Sequence, residues 1–198
     1  MAKKKKGCLD GVFDTISIFI CLVLIGFVFV KLFDIETFYK NRYPLVYKET
    51  VEKYCDLYGV DEYLVQAVIR AESFFNEKAV SKKGAIGLMQ IMPETGSWVA
   101  KKLNLENFTS EDLFDPEKNI MIGVWYISFL SDKFKGNLDN VIAAYNAGPN
   151  NVSKWLSTED TSSDGENLID IPFGETKKYS EKVKLAYDMY LKIYSTGE

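Results

Sequence analysis

Glu72 closes a series, Leu64, Val65, Val68, Ile69 and Glu72, whose offsets of 0, 1, 4, 5 and 8 put all five on one face of a helix. The face is otherwise apolar and therefore points inward, carrying a carboxyl with it. Burying an unpaired carboxylate is costly, so this group is expected to keep its proton to higher pH than usual. Its place near the helix C-terminus, where the dipole disfavours negative charge, acts in the same direction. A carboxylic acid still protonated near neutral pH is what general-acid cleavage of a glycosidic bond requires. The same spacing also suits a glutamate paired with Arg70 or Lys78, or one on the rim of the stripe.

Composition removes several other chemistries. The 198 residues contain no His, which excludes His-dependent nucleophilic triads and most zinc sites. Of the three Cys (Cys8, Cys21 and Cys55), only Cys55 lies beyond the N-terminal segment, so no disulfide is expected in the domain and Cys55 reads as an inert, semi-buried thiol. The net charge of −4 is uneven: five Lys and two Asp precede Asp34, leaving 19 basic and 26 acidic residues of the chain's 24 and 28. An acidic domain without a clustered basic face is not a nucleic-acid binder.

Lys3 to Lys6 precede an apolar run from Ile16 to Val30, extended by Val12, Phe13, Leu32 and Phe33. About 20 such residues make a helix roughly 30 Å long, enough to cross a bilayer. The Lys cluster would stay cytoplasmic and everything after Asp34 would lie outside. The sequence Lys31-Leu32-Phe33-Asp34-Ile35 offers no small-residue cleavage site, so an uncleaved anchor is expected rather than a signal peptide. The expected organisation is a basic cytoplasmic tail (1–11), a transmembrane signal anchor (12–33), a short linker (34–43) and one extracytoplasmic domain (44–198).

The elements that must position Glu72 read as helices. Val46 to Tyr58 forms one, stopped by Gly59, and Asp61 can cap the next. Residues 75–91 break into Gly84, Gly87 and short apolar pieces, which predicts loops with a little strand. Pro93 opens a helix to about Leu103, and Pro116 opens another through Ile120, Val124, Ile127 and Leu130. Asn137 caps a short helix that ends at Gly148-Pro149. Ser157 to Asn167 is polar and reads as a mobile loop. A last helix carries Tyr179, Val183, Ala186, Tyr187, Tyr190, Leu191 and Tyr194 on one face. The fold class is mainly α with little β, preceded by one transmembrane helix.

Four blocks stand in order along this domain. They are Ala71-Glu72-Ser73-Phe74, the stretch Ala79-Val80-Ser81-Lys82-Lys83-Gly84-Ala85-Ile86-Gly87-Leu88-Met89-Gln90-Ile91-Met92-Pro93, Ala144-Tyr145-Asn146-Ala147-Gly148-Pro149, and Pro172-Phe173-Gly174-Glu175-Thr176-Lys177-Lys178-Tyr179. Each alone is weak; together, from about Tyr43 to Tyr194, they closely resemble the SLT family of lytic transglycosylases. The chain departs from the pattern at Ser180, where many relatives carry an apolar residue.

The resemblance implies a lysozyme-like fold and a peptidoglycan lytic transglycosylase in which one glutamate, Glu72, serves as acid and base. Cleavage between N-acetylmuramic acid and N-acetylglucosamine would leave a 1,6-anhydromuramoyl end without using water. It further implies substrate contacts from Ser81, Gln90 and Met92, with Tyr145 and Asn146 beside Glu72, Glu175 and Tyr179 completing the cleft, and Ser73 helping to orient the acid. Blander roles compete: helix ending for Asn146 and Gly148, core packing for Met89, Met92 and Tyr179, and backbone turns for Gly84 and Gly87. Two other functions fit the same blocks, a hydrolytic muramidase of goose-lysozyme type and a glycan-binding scaffold without catalysis. The expected partners are glycan strands and the membrane, with cell-wall or secretion-apparatus proteins left unassigned; no cofactor or metal is implied.

Overall fold

The computed structural model describes residues 8–32 and 35–195, with side chains from residue 15 onward except at 32 and 36. Packing divides the chain into two units, Met1–Pro44 and Leu45–Glu198. The first holds α1 (Cys8–Leu32) and α2 (Ile35–Arg42). The apolar side chains of α1, among them Phe19, Leu22, Ile25 and Val30, are exposed. Over the described residues, no helix is long and apolar enough to cross a membrane. The span expected at 12–33 is therefore not shown; its Phe33 and the flanking Lys3 to Lys6 lie outside the described residues, and the side chains of Val12, Phe13 and Asp14 are likewise not described.

The second unit is built from seven α-helices and a short 3₁₀ turn among the described residues. Helix α3 (Lys48–Tyr58) starts two residues later than the periodicity suggests, because Tyr47 takes a left-handed φ of 55°. It ends where Gly59, at φ 67°, returns its N–H to the Cys55 carbonyl. The carboxylate of Asp61 accepts from the Leu64 N–H at 3.0 Å and caps α4 (Glu62–Glu72). Proline opens α5 (Pro93–Lys102) and α6 (Pro116–Lys133), the latter also capped by Asp115, and Asn137 caps α7 (Leu138–Ala147). Pro149 does not merely stop α7: it starts a separate helix, α8 (Pro149–Leu156). The chain closes with α9 (Gly174–Tyr194).

Helix α4 packs between α9 and α3, and α6 lies against α3, α5 and α7. Val65, Ile69, Ile120, Ile142 and Tyr190 are buried at their centre. The segment between α4 and α5 has only two isolated antiparallel bridges, Val80 with Ile86 and Ile86 with Ile91. Asn119 of α6, wholly buried, holds this segment in place. Its Oδ1 accepts from the Met89 N–H at 2.8 Å, and its Nδ2 donates to the carbonyls of Ile86 (3.0 Å) and Leu113 (2.7 Å). Gly87 is required for this approach: a Cβ there would lie 2.3 Å from both Asn119 Nδ2 and the Leu113 carbonyl, at a φ of +78°. Met89 is core, as its bland reading held; it seats against Gly123, where a Cβ would come within 2.2 Å of its sulfur.

The segment 157–167 differs from the mobile loop expected. Thr161 and Ser162 are buried, Thr161 Oγ1 donates to the Trp155 carbonyl, and Asn140 Nδ2 donates to the Glu166 carbonyl at 2.7 Å. Asp164 gathers the turn by accepting from the Asn167 side-chain amide at 2.6 Å and from the N–H groups of Asn167 and Glu166, both at 2.8 Å, which together hold its carboxyl well below the usual range. At the sequence's departure from the family pattern, Ser180 is buried with no hydrogen-bond partner for its hydroxyl.

Candidate active site

Glu72 is the last residue of α4, and its carboxyl lines a cleft of about 680 Å³. Burial raises its pKa from 4.5 to about 7, against the opposing pull of the Tyr179 hydroxyl and the Lys182 ammonium. Burial is thus the main reason that Glu72 keeps its proton toward neutral pH, as its place on the apolar stripe suggests. Neither of the bland partners is used. The Arg70 guanidinium lies over the Phe74 ring, 4.6 Å from its centroid, and among the ion pairs of the described residues none joins Glu72 to Lys78.

The two tyrosines differ in role. The Tyr145 hydroxyl donates to the Met89 carbonyl at 2.8 Å, so its own proton is committed and its oxygen is left to accept. Burial, then the Glu72 charge, pushes its pKa well above the ordinary value, and Tyr179 behaves alike. The Tyr179 hydroxyl is buried beneath the carboxyl, close enough to stabilise its charged form, yet it makes no hydrogen bond of good geometry. Lys182 of α9 donates to the Ala71 carbonyl and so places a cation at the C-terminal end of α4 beside Glu72.

Seven of the nine residues anticipated for the site line the cleft: Glu72, Ser81, Gln90, Met92, Tyr145, Asn146 and Glu175. Ser81 Oγ accepts from the N–H groups of Lys83 (3.2 Å) and Ala85 (2.9 Å), which leaves its proton for a ligand. Gln90 Nε2 donates to the carbonyls of Ala79 (3.2 Å) and Gly87 (3.0 Å), leaving Oε1 as an acceptor. Asn146 Oδ1 accepts from the Thr176 hydroxyl at 2.8 Å, leaving its amide N–H₂ as donor. Backbone strain gathers here as well, with Phe74, Phe75 and Gln90 at φ of 52°, 66° and 48°.

Ser73 and Tyr179 do not line the cleft. Ser73 Oγ instead donates to the Leu88 carbonyl at 2.7 Å, pinning the end of α4 to the 84–91 segment. Sequence reasoning overlooked Phe173, Thr176, Lys82 and Lys83 as cleft residues. All four stand within the blocks that carry the family resemblance and could have been found there; nothing in the sequence announces that Lys83 reaches Glu175, 3.4 Å away at the mouth, or that Lys182 reaches Ala71.

Among the described residues, Glu72 and Glu175 are the only carboxylates lining the cleft, and Glu175 is exposed on its rim. Glu77 accepts from the Tyr47 hydroxyl at 3.1 Å, and Glu94 is exposed. A retaining or inverting glycosidase needs a second carboxylate set across the bond from its acid; no buried one is here.

A helical domain built around one raised carboxyl in an amide-lined cleft defines a class, and sequence comparison gives its family. The Transglycosylase SLT domain family matches residues 49–168, and the chain belongs to it. It is 37% identical over 157 residues to the soluble lytic murein transglycosylase of Escherichia coli (strain K12), covering 78% of this chain and 24% of that protein. It is 36% identical over 129 residues to membrane-bound lytic murein transglycosylase C of Edwardsiella ictaluri, covering 57% and 34%. The 70-kDa soluble lytic transglycosylase solved in complex with bulgecin A superposes with a TM-score of 0.71 at 32% identity, over 81% of this chain and 26% of that one. An inactive mutant of the lytic transglycosylase Slt from Pseudomonas aeruginosa gives 0.69 at 30%, over 80% and 26%. The chain thus spans about a quarter of the length of the soluble relatives it matches.

Proposed function

We propose that this protein is a peptidoglycan lytic transglycosylase with Glu72 as its single acid and base. The observation that carries the reading is the half-buried Glu72 carboxyl, held at about 7 in a cleft with no second buried carboxylate among the described residues. Glu72 gives its proton to the oxygen joining N-acetylmuramic acid to N-acetylglucosamine, and the bond from the muramoyl anomeric carbon to that oxygen breaks. The resulting carboxylate takes the proton of the muramoyl 6-hydroxyl as its oxygen bonds to the anomeric carbon. The proton returns to Glu72 and no water is consumed. The Tyr145 oxygen, free to accept, can orient the protonated carboxyl; the low polarity that raises its pKa also strengthens the contact. Ser81, Gln90, Met92, Asn146 and Glu175 bind the sugars, with Ser81 and Asn146 donating and Gln90 accepting. Tyr179 and Ser73 support Glu72 from behind.

We also propose that residues 12–33 anchor the domain in the cell membrane, with the N-terminus cytoplasmic and the domain outside. The support is the 25-residue length of α1 and its exposed apolar side chains. An anchored enzyme works on glycan near the bilayer, which fits remodelling of the cell's own wall. Mass spectrometry of muropeptides released from purified peptidoglycan tests the chemistry, with Glu72→Gln as the comparison. Anhydromuramoyl ends are expected from the parent and a fall of about 10²–10⁴-fold from the variant. Reducing muramic ends would replace this reading with hydrolysis, and no product from folded parent would favour the scaffold.

A further inference from the structure

Beside the cleft, four aromatic side chains share one face of α5 and α6. Trp98 is 36% exposed, and Trp125, Tyr126 and Phe129 are half-buried. They touch mostly edge to face: Trp98 lies 5.3 Å from Trp125, 5.0 Å from Phe129 and 6.3 Å from Tyr126 between ring centroids, at interplanar angles of 70–87°. Trp125 and Phe129 stack in parallel at 5.9 Å. One ring contact and one shared helix tie the cluster to the cleft. Tyr126 contacts Tyr145, a cleft residue, at 5.7 Å, and Met92, another, is the N-cap of α5. Trp98 stands six residues beyond Met92, about 9 Å along the helix.

We propose that Trp98, Trp125, Tyr126 and Phe129 form an extended binding strip for the glycan strand where it leaves the cleft past Met92. The inference rests on the proposed glycan-cleaving reading and deepens it. A cleft of about 680 Å³ has the size of a small-molecule site, whereas a glycan strand is a polymer that must continue across the surface. Each pyranose ring has a face of C–H groups that packs on the electron-rich face of an aromatic ring, and β-1,4 linkage presents such faces in series. Half-exposed aromatics continuous with the cleft meet that need. The strip lies on an acidic domain, which gives an anionic lipid surface no added attraction.

The test uses the full-length chain carrying Glu72→Gln, so that bound glycan is not turned over, and reads tryptophan emission during titration with β-1,4-linked N-acetylglucosamine oligomers of increasing length. Two of the three tryptophans, Trp98 and Trp125, belong to the strip, while Trp155 is buried in the core. Affinity is expected to rise with length, with an emission shift appearing only for the longer oligomers. Trp98→Ala or Trp125→Ala should lower affinity for long oligomers by up to about tenfold, the loss growing with length. Trp98→Phe, which keeps an aromatic face and the packing, should restore most of it. Affinity that is flat with length, equal weakening at every length, or emission that responds to phosphatidylglycerol vesicles but not to oligomers would overturn the strip. Formation of anhydromuramoyl ends by the Glu72 parent is read separately, so loss of the strip and loss of the catalytic assignment give different results.

Discussion

Asn119 and Glu72 are both polar groups taken out of water, and the protein treats them in opposite ways. Asn119 is wholly buried and uses both ends of its amide in three hydrogen bonds, to Met89, Ile86 and Leu113. Glu72 is partly buried and left short of partners, with one tyrosine committed elsewhere and the other poorly aligned. The first arrangement suits structure, because a fully satisfied buried amide specifies one loop conformation. The second suits chemistry: a carboxyl denied partners for its charge retains a proton it can give away. The two are joined through Met89, whose N–H binds Asn119 and whose carbonyl accepts from Tyr145.

The largest effect on stability is expected from the satisfied group. Asn119→Ala leaves the Met89 N–H and two carbonyls buried without partners and should lower the unfolding free energy by about 3 kcal/mol or more in urea titration. A loss below about 1 kcal/mol would mean that water takes over those bonds and that Asn119 is not the hub described.

Glu72→Gln should do the reverse at high pH. The Glu72 pKa is raised from 4.5 to about 7 in the folded chain, so the native state holds this proton where the unfolded chain has lost it. That contribution is complete below about 4.5 and disappears as pH rises through about 7; the neutral amide has no such dependence. The variant should therefore gain on the parent across this window and exceed it by on the order of 1–3 kcal/mol at pH 8. Parallel stability curves from pH 4 to 8 would remove the strained-acid account.

The smallest effect concerns Lys182. Its ammonium beside the end of α4 favours the ionised form of Glu72, so Lys182→Met should raise the Glu72 pKa and carry the alkaline limb of kcat/KM upward by roughly 0.2–0.7 pH unit. Lys182→Arg should restore the original limb. A rate loss equal at all pH values would assign Lys182 to packing alone.

Much of this arrangement was legible beforehand. The inward turn of Glu72 followed from helical spacing, since neighbours three and four apart share a face whatever surrounds them. The caps at Asp61 and Asn137 and the proline starts at Pro93 and Pro116 are local chemistry and stand where expected. The partner of Ser73 was not legible, because adjacency to Glu72 in sequence does not make it share a direction: one helical step rotates its hydroxyl toward Leu88, away from the cleft. The segment 157–167 looked mobile from its polar composition, but polar side chains fix a loop when carbonyls and N–H groups lie within reach, as they do around Asp164 and Thr161.

By itself the sequence determined the helices, the face on which the acid lies and the order of the blocks that meet around it, because periodicity, capping and turn chemistry act over a few residues. Only the tertiary structure decided how buried the acid is, which tyrosine spends its proton on Met89, that Asn119 requires glycine at position 87, and that Lys83 meets Glu175 across the cleft. Those are contacts between residues about 30 to more than 90 positions apart, and they exist only once the chain's apolar faces have packed together.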